Sequence, residues 1–280
     1  MEEFEAPTPI DCLCHTPSVL AAGGYLFDEG VRSGKIHLYS LESMKMLEEF
    51  ETSGTLDIKI RGQILYSANS GDVSAVHLNG LSSVKINTVD INTYIELVGE
   101  EVFVSDVRGR ISVYGTEMVL LKTVEVAEAP IWVLKASDKE LMYGSEDGSL
   151  SFMDIRTWSE HHKMKRASGV TSIYESDEYV YVGAYDECIE VVDKRMYKPV
   201  KKAKIGGGVW RICRAKEIFY LSCMYEGVKI CDSELKVLKR FPTDSIAYGL
   251  TVTSDRVFFA SFYDKKIYRL GLHDSGEPQM

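Results

Sequence analysis

The spacing of one short pattern limits the folds that this chain can adopt. In seven segments a polar or glycine-containing turn is followed by alternating apolar residues, as in SGKIHLYS and DGSLSFMD. The first inward-facing apolar residues of these segments are Ile36, Val73, Ile111, Leu150, Ile189, Val228 and Ile267. They follow one another at intervals of 37, 38, 39, 39, 39 and 39 residues. A constant period near 40 residues predicts an array built from one repeated unit.

Each unit contains four runs of alternating polarity, and the fifth reads VTSIY, VYVGAYD, ECIEVVD and KPVKKAKI. Four short strands per unit are typical of a propeller blade, so we predict an all-β, seven-bladed β-propeller that spans residues 1–280 as a single domain. Asp154, Asp193 and Asp232 close the third strand in three units. This arrangement resembles a degenerate WD repeat in which Met, Val and Cys replace the Trp.

The two ends of the chain predict how the ring closes. The seventh unit has three predicted strands, and the first residues, MEEFEAPTP, resemble the outer segment LEEFETSG of the first unit. We expect residues 2–6 to supply the missing outer strand of the last blade. Closure of this kind removes two exposed strand edges at once.

Charge and composition argue against several classes of function. The net charge is −10 and the pI about 5.2, whereas a nucleic-acid-binding protein usually carries a basic stripe. No apolar run approaches the ~20 residues of a membrane span. The six cysteines are scattered, and no spacing matches a metal site or a cofactor motif. We therefore expect a cytoplasmic monomer with no metal and no cofactor.

The first blade departs from the repeat at its turn, residues 24–34, which carries Tyr25, Phe27 and Arg32. This long turn is either a functional loop or a tolerated insertion. The aspartates of the shorter turns, such as Asp147 and Asp264, are expected to bond their own backbone. Composition and spacing alone predict a propeller that mediates protein–protein interaction.

Several longer sequence segments indicate a family as well as a fold. GVTSI, GAYDECIEVVDKRMYKPV, GGGVWRI, LSCMYEGVKI, DSIAYG and SFYD, in this order, resemble the diphthine methyl ester esterase family of diphthamide biosynthesis. TSGTLDIKI and YGSEDGSLSFMDIR extend the resemblance to most of the chain. The chain departs from the family's Glu-Ala-Trp-Ile phrase, because Pro130 stands there and Trp132 is displaced.

The resemblance implies a carboxylic ester hydrolase that removes a methyl ester from a modified histidine of translation elongation factor 2, its protein substrate. The products are methanol and diphthine. Asp57, Asp186 and Asp244 are the general-base candidates by position and family phrase, and Ser245 is the candidate for a covalent route. A non-catalytic WD-type scaffold, in which these phrases only shape blades, remains the alternative interpretation.

The segment GGGVWRIC bears on substrate binding. Gly206, Gly207 and Gly208 lead into an innermost strand, where bare backbone could approach a ligand or form an oxyanion hole; the competing interpretation is a sharp turn that needs positive φ. By family inference the modified histidine carries a trimethylammonium group, which aromatic faces bind. The expected aromatic residues are Tyr25, Tyr185, Trp210, Tyr248 and Tyr263. Trp210 has a competing role as a packing residue between blades.

Overall fold

The protein is described by a computed structural model that covers residues 1–80 and 82–272. These residues form 28 β-strands and no α-helix. The strands make seven four-stranded antiparallel sheets, each an up-and-down blade. The predicted all-β, seven-bladed propeller is confirmed.

In chain order the first fourteen strands are β1 (Glu2–Glu5), β2 (Cys12–His15), β3 (Val19–Asp28), β4 (Val31–Ser40), β5 (Met46–Thr52), β6 (Thr55–Arg61), β7 (Ile64–Asn69), β8 (Asp72–His77), β9 (Ser83–Asn87), β10 (Asn92–Val98), β11 (Glu101–Asp106), β12 (Arg110–Gly115), β13 (Leu120–Glu125) and β14 (Ile131–Ala136). The remaining fourteen are β15 (Glu140–Ser145), β16 (Ser149–Asp154), β17 (Ser159–Lys165), β18 (Val170–Glu175), β19 (Tyr179–Ala184), β20 (Cys188–Asp193), β21 (Lys198–Lys204), β22 (Arg211–Ala215), β23 (Ile218–Ser222), β24 (Val228–Cys231), β25 (Val237–Phe241), β26 (Ala247–Val252), β27 (Arg256–Ser261) and β28 (Lys266–Gly271).

Blades one to six are consecutive sets of four strands, starting with β2–β5, and blade seven is β26–β28 with β1 at its outer edge. The innermost strands β2, β6, β10, β14, β18, β22 and β26 each contact the next around the ring and enclose a channel. β1 pairs antiparallel with β28, with Phe4 opposite Ile267. The predicted closure of the last blade by the N-terminal residues is therefore confirmed.

The core lies between consecutive blades because the second and third strands of each blade are buried on both faces. Phe219 and Leu221 of β23, for example, pack with Tyr181 and Val191 of blade five. The outermost strands are largely exposed, and some are mostly polar, as in SEHHKMK of β17. Runs rich in Val, Ile and Tyr favour such buried strands, which explains why the alternating segments were readable in the sequence.

A β-bulge opens five of the seven innermost strands. The pairing register slips by one residue where these strands begin, in β6, β10, β14, β18 and β26. The extra residues include Leu56, Trp132 and Tyr248. A bulge re-aims a side chain without ending the sheet, and these three side chains point into the upper end of the channel. We call upper the face that carries the turns between second and third strands.

The expectation that residues 24–34 form a long turn in blade one is wrong. β3 and β4 are ten residues each and stay paired up to Asp28 and Val31. Only Glu29 and Gly30 turn the chain, both with positive φ (45° and 84°). Two such residues give the type I′ turn that matches strand twist. Residues 24–34 therefore form a rigid hairpin that rises above the upper face.

Candidate functional site: an aromatic cavity at the upper end of the channel

A cavity of about 210 Å³ lies at the upper end of the channel and is the best candidate site. We call it the aromatic cavity. Its walls come from blades one to six and blade seven's innermost strand, and the lining residues are Asp11, Tyr25, Arg32, Leu56, Ile91, Val107, Trp132, Tyr185, Trp210 and Tyr248. Four of the five aromatic residues expected from the sequence therefore come together here.

Trp210 is the centre of the aromatic wall. Its ring centroid lies 4.9 Å from that of Tyr248, 6.2 Å from that of Trp132 and 6.3 Å from that of Tyr185. The Trp210 side chain is half-buried. It therefore packs against aromatic neighbours and also presents a face to the cavity, so the two interpretations of Trp210 both describe part of its position.

Asp11 is the buried carboxylate of the aromatic cavity. It is 4% exposed, and it directly precedes the innermost strand of blade one. Burial raises the pKa of Asp11 to about 7, a shift that the charge of Arg211 opposes and the charge of Asp57 reinforces. The nearby Trp210 indole lowers this pKa somewhat, although neither Asp11 Oδ1 nor Trp210 Nε1 makes a hydrogen bond. Near neutral pH this group can both accept and return a proton.

Two hydrogen-bond donors in the wall are also without partners. Trp210 Nε1 and Arg32 Nε are buried and bond to no acceptor. The guanidinium of Arg32 lies over the rings of Tyr25 and Phe27, at 5.3 and 4.9 Å from their centroids. By contrast, Trp132 Nε1 donates to Glu146. An unpartnered buried polar group costs about 1–3 kcal/mol, and a ligand with suitable polar atoms could offset that cost here.

Tyr25 and Tyr248 are positioned by a residue behind the wall. The ring of Phe262 lies 5.2 Å from Tyr25 and 5.6 Å from Tyr248, measured between centroids. Burial raises the pKa of Tyr25 to about 12 and also raises that of Tyr248. Both phenols are therefore neutral near pH 7 and act as apolar faces with a polar tip.

Asp57 lies deeper in the channel and outside the lining of the aromatic cavity. Its carboxylate is 2.6 Å from Lys59 Nζ and 3.4 Å from Arg211 Nη2, and it accepts the N–H of Ile95 at 3.2 Å. The ion pair between Lys135 Nζ and Glu96 Oε1, which are 3.0 Å apart, extends this network towards the lower end of the channel. Both oxygens of Asp57 are thus held in a buried ionic network, and its expected role as a general base stays a prediction.

The other three catalytic candidates lie apart from the aromatic cavity. Asp186 accepts the N–H of Cys188 at 3.2 Å and pairs with Lys202 at 2.8 Å, which fixes a turn. Asp244 is exposed in the connection before β26. Ser245 Oγ accepts the N–H of Tyr263 at 2.9 Å. The structure therefore brings none of the three to the cavity wall, and their catalytic roles also stay predictions.

The glycine triplet is explained by local geometry. Gly206 and Gly207 have φ of +87° and +72°, a region that residues with a side chain rarely adopt. A Cβ on Gly207 would lie 2.3 Å from the carbonyl oxygen of Cys223, and one on Gly208 would lie 2.5 Å from Met224 Sδ. The N–H of Gly206 already donates to the Glu187 carbonyl at 3.1 Å. Since none of the three lines the aromatic cavity, the sharp-turn interpretation accounts for them.

Tyr263 also differs from expectation, because it is 70% exposed and lies beside the aromatic cavity, outside its lining. Conversely, the sequence reasoning missed Asp11, Arg32 and Trp132 as site residues. A signal for Asp11 was present in the sequence, since PIDCLCH leads into an innermost strand as GGGVWRIC does. Trp132 is displaced from the family phrase, but the bulge in β14 turns it into the cavity.

Other features of the described residues add little to this site. Among residues 1–80 and 82–272, no three His, Cys, Asp or Glu side chains come together as metal ligands. The same part of the chain holds no helix that is long and apolar enough to cross a membrane. His15 and His37 both have hydrogen-bond partners within the fold: the first bonds Thr251 at 2.8 Å and the second bonds Thr8 at 3.0 Å.

Comparison with known proteins gives similarity in fold. No protein-family model matches the chain, and no curated protein matches it. A chain of a solved mitotic checkpoint complex has a TM-score of 0.81 at 12% identity, over 96% of this chain and 90% of that one. The computationally designed Ika8 protein has a TM-score of 0.74 at 16% identity, over 97% of this chain and 98% of its own.

At these identities the likeness concerns the fold alone. It agrees with the seven four-stranded sheets of the described residues. The chain is a seven-bladed β-propeller.

Proposed function

We propose that this protein is a carboxylic ester hydrolase that removes the methyl ester from methylated diphthine on translation elongation factor 2. One observation carries the proposal: a cavity with an aromatic wall and one buried carboxylate whose pKa lies at about 7. The aromatic faces suit a trimethylammonium group, at about 0.5–2 kcal/mol per contact. The carboxylate suits acid–base chemistry at neutral pH. The family resemblance of the sequence supplies the substrate.

In the proposed reaction, water adds to the ester carbonyl carbon and gives one proton to the Asp11 carboxylate. A carbon–oxygen bond forms, and the carbonyl oxygen becomes an oxyanion. When the oxyanion collapses, the bond to the methoxy oxygen breaks and that oxygen takes the proton from Asp11, so that methanol leaves. The new carboxylic acid then loses its own proton to solvent. Asp11 therefore replaces the three aspartates expected from the sequence as the preferred base.

The test is methanol release from methylated diphthine on elongation factor 2 by the purified full chain. We expect Asp11→Asn to lower the rate by at least about 100-fold, the usual contribution of a positioned acid–base group. Asp177→Asn is the matched control, because Asp177 is exposed in the turn between β18 and β19 on the lower face. Its rate should equal that of the wild type. No methanol under conditions in which a related esterase works would refute the proposal.

A non-catalytic scaffold is the second candidate, and one observation favours it. The blade-one hairpin exposes the apolar side chains of Leu26 (44%), Phe27 (61%) and Val31 (67%) above the upper face. Apolar side chains exposed on a protruding hairpin are typical of protein contact sites. If methanol is not released but elongation factor 2 binds, and Phe27→Ser weakens that binding, the scaffold interpretation replaces the esterase.

A further inference from the structure

Three unpartnered polar atoms share the wall of the aromatic cavity. Asp11 Oδ1 is an acceptor, whereas Arg32 Nε and Trp210 Nε1 are donors, and none has a hydrogen-bond partner. They come from the segment before β2, from β4 and from the segment before β22. Blades one and six are not neighbours in the ring, so the convergence of these atoms on one cavity is a property of the closed propeller.

The donors and the acceptor are set among aromatic faces. Trp210, Tyr248, Tyr185 and Trp132 form a continuous set of ring contacts, with centroids 4.9–6.3 Å apart. Such faces attract a methylated ammonium group through their electron-rich centres. The negative charge of Asp11 strengthens this attraction, because few water molecules screen it in a buried site. One part of the cavity therefore suits a cation.

The rest of the cavity suits an anion or a polarised carbonyl oxygen. Arg32 carries a positive charge, and the N–H groups of Arg32 and Trp210 have no hydrogen-bond partner in the protein, so they can donate to an acceptor brought by a ligand. Trp132 cannot serve in the same way, since its indole N–H is held by Glu146. A ligand that is only a cation would leave both donors unpartnered, and a simple carboxylate would leave the aromatic wall and Asp11 unused.

We propose that the aromatic cavity recognises two groups of one ligand together: a methylated ammonium against the aromatic wall and Asp11, and a carboxyl oxygen held by Trp210 Nε1 and Arg32 Nε. The ligand class is a betaine or a betaine ester. The inference rests on the proposed function in that the proposed substrate carries both groups. It also assigns the carbonyl-oxygen donors of the reaction to Trp210 and Arg32, in place of the glycine triplet.

The test compares three small probes that differ in one group each. Glycine betaine carries both groups, choline keeps the ammonium but has no carboxylate, and 3,3-dimethylbutyrate keeps the carboxylate and replaces the ammonium by an uncharged isostere. Binding to the full chain is followed by calorimetry and by tryptophan fluorescence, because two of the three tryptophans line the cavity. We expect betaine to bind at least about tenfold more tightly than either of the others, as for one charge-assisted hydrogen bond or ion contact.

Trp210→Phe keeps an aromatic ring and removes the N–H. We expect it to bring the affinity for betaine down to that for choline, while the affinity for choline changes little. Arg32→Gln should also weaken the binding of betaine and of 3,3-dimethylbutyrate. Trp158→Phe is the matched control, because Trp158 stacks on Phe103 away from the channel, with centroids 6.2 Å apart. That variant should bind all three probes like the wild type.

The outcomes separate this inference from the proposed function. Equal affinity for betaine and choline, or an unchanged preference in Trp210→Phe, would overturn the two-group site even if methanol is released. Absence of saturable binding by any of the three probes would overturn it as well. A betaine preference that Trp210→Phe abolishes would support it even if no methanol is released, and the cavity would then serve another ligand of the same class.

Discussion

Arg211 Nη2 lies 3.4 Å from Asp57 Oδ1, so one ion pair bridges the innermost strands of blades six and two across the channel. Lys59 Nζ holds the second oxygen of the same carboxylate at 2.6 Å. The Asp57 side chain is only 4% exposed. Such a buried network ties non-adjacent blades together directly beneath the aromatic cavity.

Loss of the Asp57 charge is expected to destabilise the fold. Asp57→Asn leaves Arg211 and Lys59 in the channel without their counter-ion, which should lower the free energy of unfolding by about 3–5 kcal/mol. Urea denaturation measures this change. A replacement of both partners, Asp57→Asn with Arg211→Met, should recover part of the loss. A stable Asp57→Asn variant that releases no methanol would instead support the role of general base expected from the sequence.

The stability of the protein should fall as the pH rises through the range in which Asp11 ionises. The pKa of Asp11 is about 7 in the folded chain, against an ordinary value of 3.8. Between these two pH values the folded state therefore binds a proton that the unfolded state has already lost. Once Asp11 is fully ionised, the free energy of unfolding is lower by up to about 4 kcal/mol. Asp11→Asn should match the wild type near pH 4 and exceed its unfolding free energy above pH 7. Parallel pH profiles of the two proteins would show that Asp11 is not buried as described.

Trp210→Leu tests the aromatic wall with the substrate itself. Trp210 contacts Tyr248 and Tyr185 and faces the cavity. We expect the KM for the trimethylated substrate to rise about tenfold, and much more than the KM for an unmethylated amine analogue, because the lost contact is a cation–π contact. The melting temperature, measured alongside, should change little. An equal loss on both substrates would show that the ring of Trp210 does not bind the ammonium group, and a large fall in melting temperature would assign Trp210 to packing.

Deletion of residues 1–9 should open the ring. The deletion removes β1, and with it the ion pairs of Glu2 with Arg269 (2.5 Å) and of Glu3 with Lys266 (2.8 Å). β28 would then expose an unpaired edge, so we expect a markedly lower melting temperature and aggregation visible by light scattering. The double variant Glu2→Gln with Glu3→Gln is the control. It keeps the strand and should leave the melting temperature nearly unchanged, since these pairs are exposed and screened by solvent.

Two glycines with similar φ separate backbone strain from steric conflict. Gly30 has φ of +84° and open space around its Cα, whereas a Cβ on Gly207 (φ +72°) would meet the Cys223 carbonyl oxygen. Gly30→Ala should cost about 1 kcal/mol for the left-handed conformation alone. Gly207→Ala should cost about 1–3 kcal/mol more, because the backbone must shift. Equal unfolding free energies in urea would show that the triplet has room and is kept for another reason.

The seven-bladed ring and its closure by the N-terminal strand could be predicted from the sequence alone. Both follow from local information: a period near 39 residues, alternating polarity within each strand, and the likeness of the first residues to an outer strand. The placement of Tyr25, Tyr185, Trp210 and Tyr248 at one end of the channel followed from their positions within the repeat. Because each blade repeats the same geometry, equivalent positions in different blades reach the same face.

The chemical character of the aromatic cavity was decided only by the tertiary structure. Trp210 is far from Asp11 and Arg32 in the sequence and meets them because the ring closes, and the bulges that turn Trp132 and Tyr248 inward are not readable from alternation. The same holds for burial. Asp11 and Asp57 look alike in the sequence. In the structure Asp11 Oδ1 has no hydrogen-bond partner, whereas the carboxylate of Asp57 forms ion pairs with Lys59 and Arg211. A carboxylate's charge state depends on its solvation and its neighbours, and the packed ring sets both.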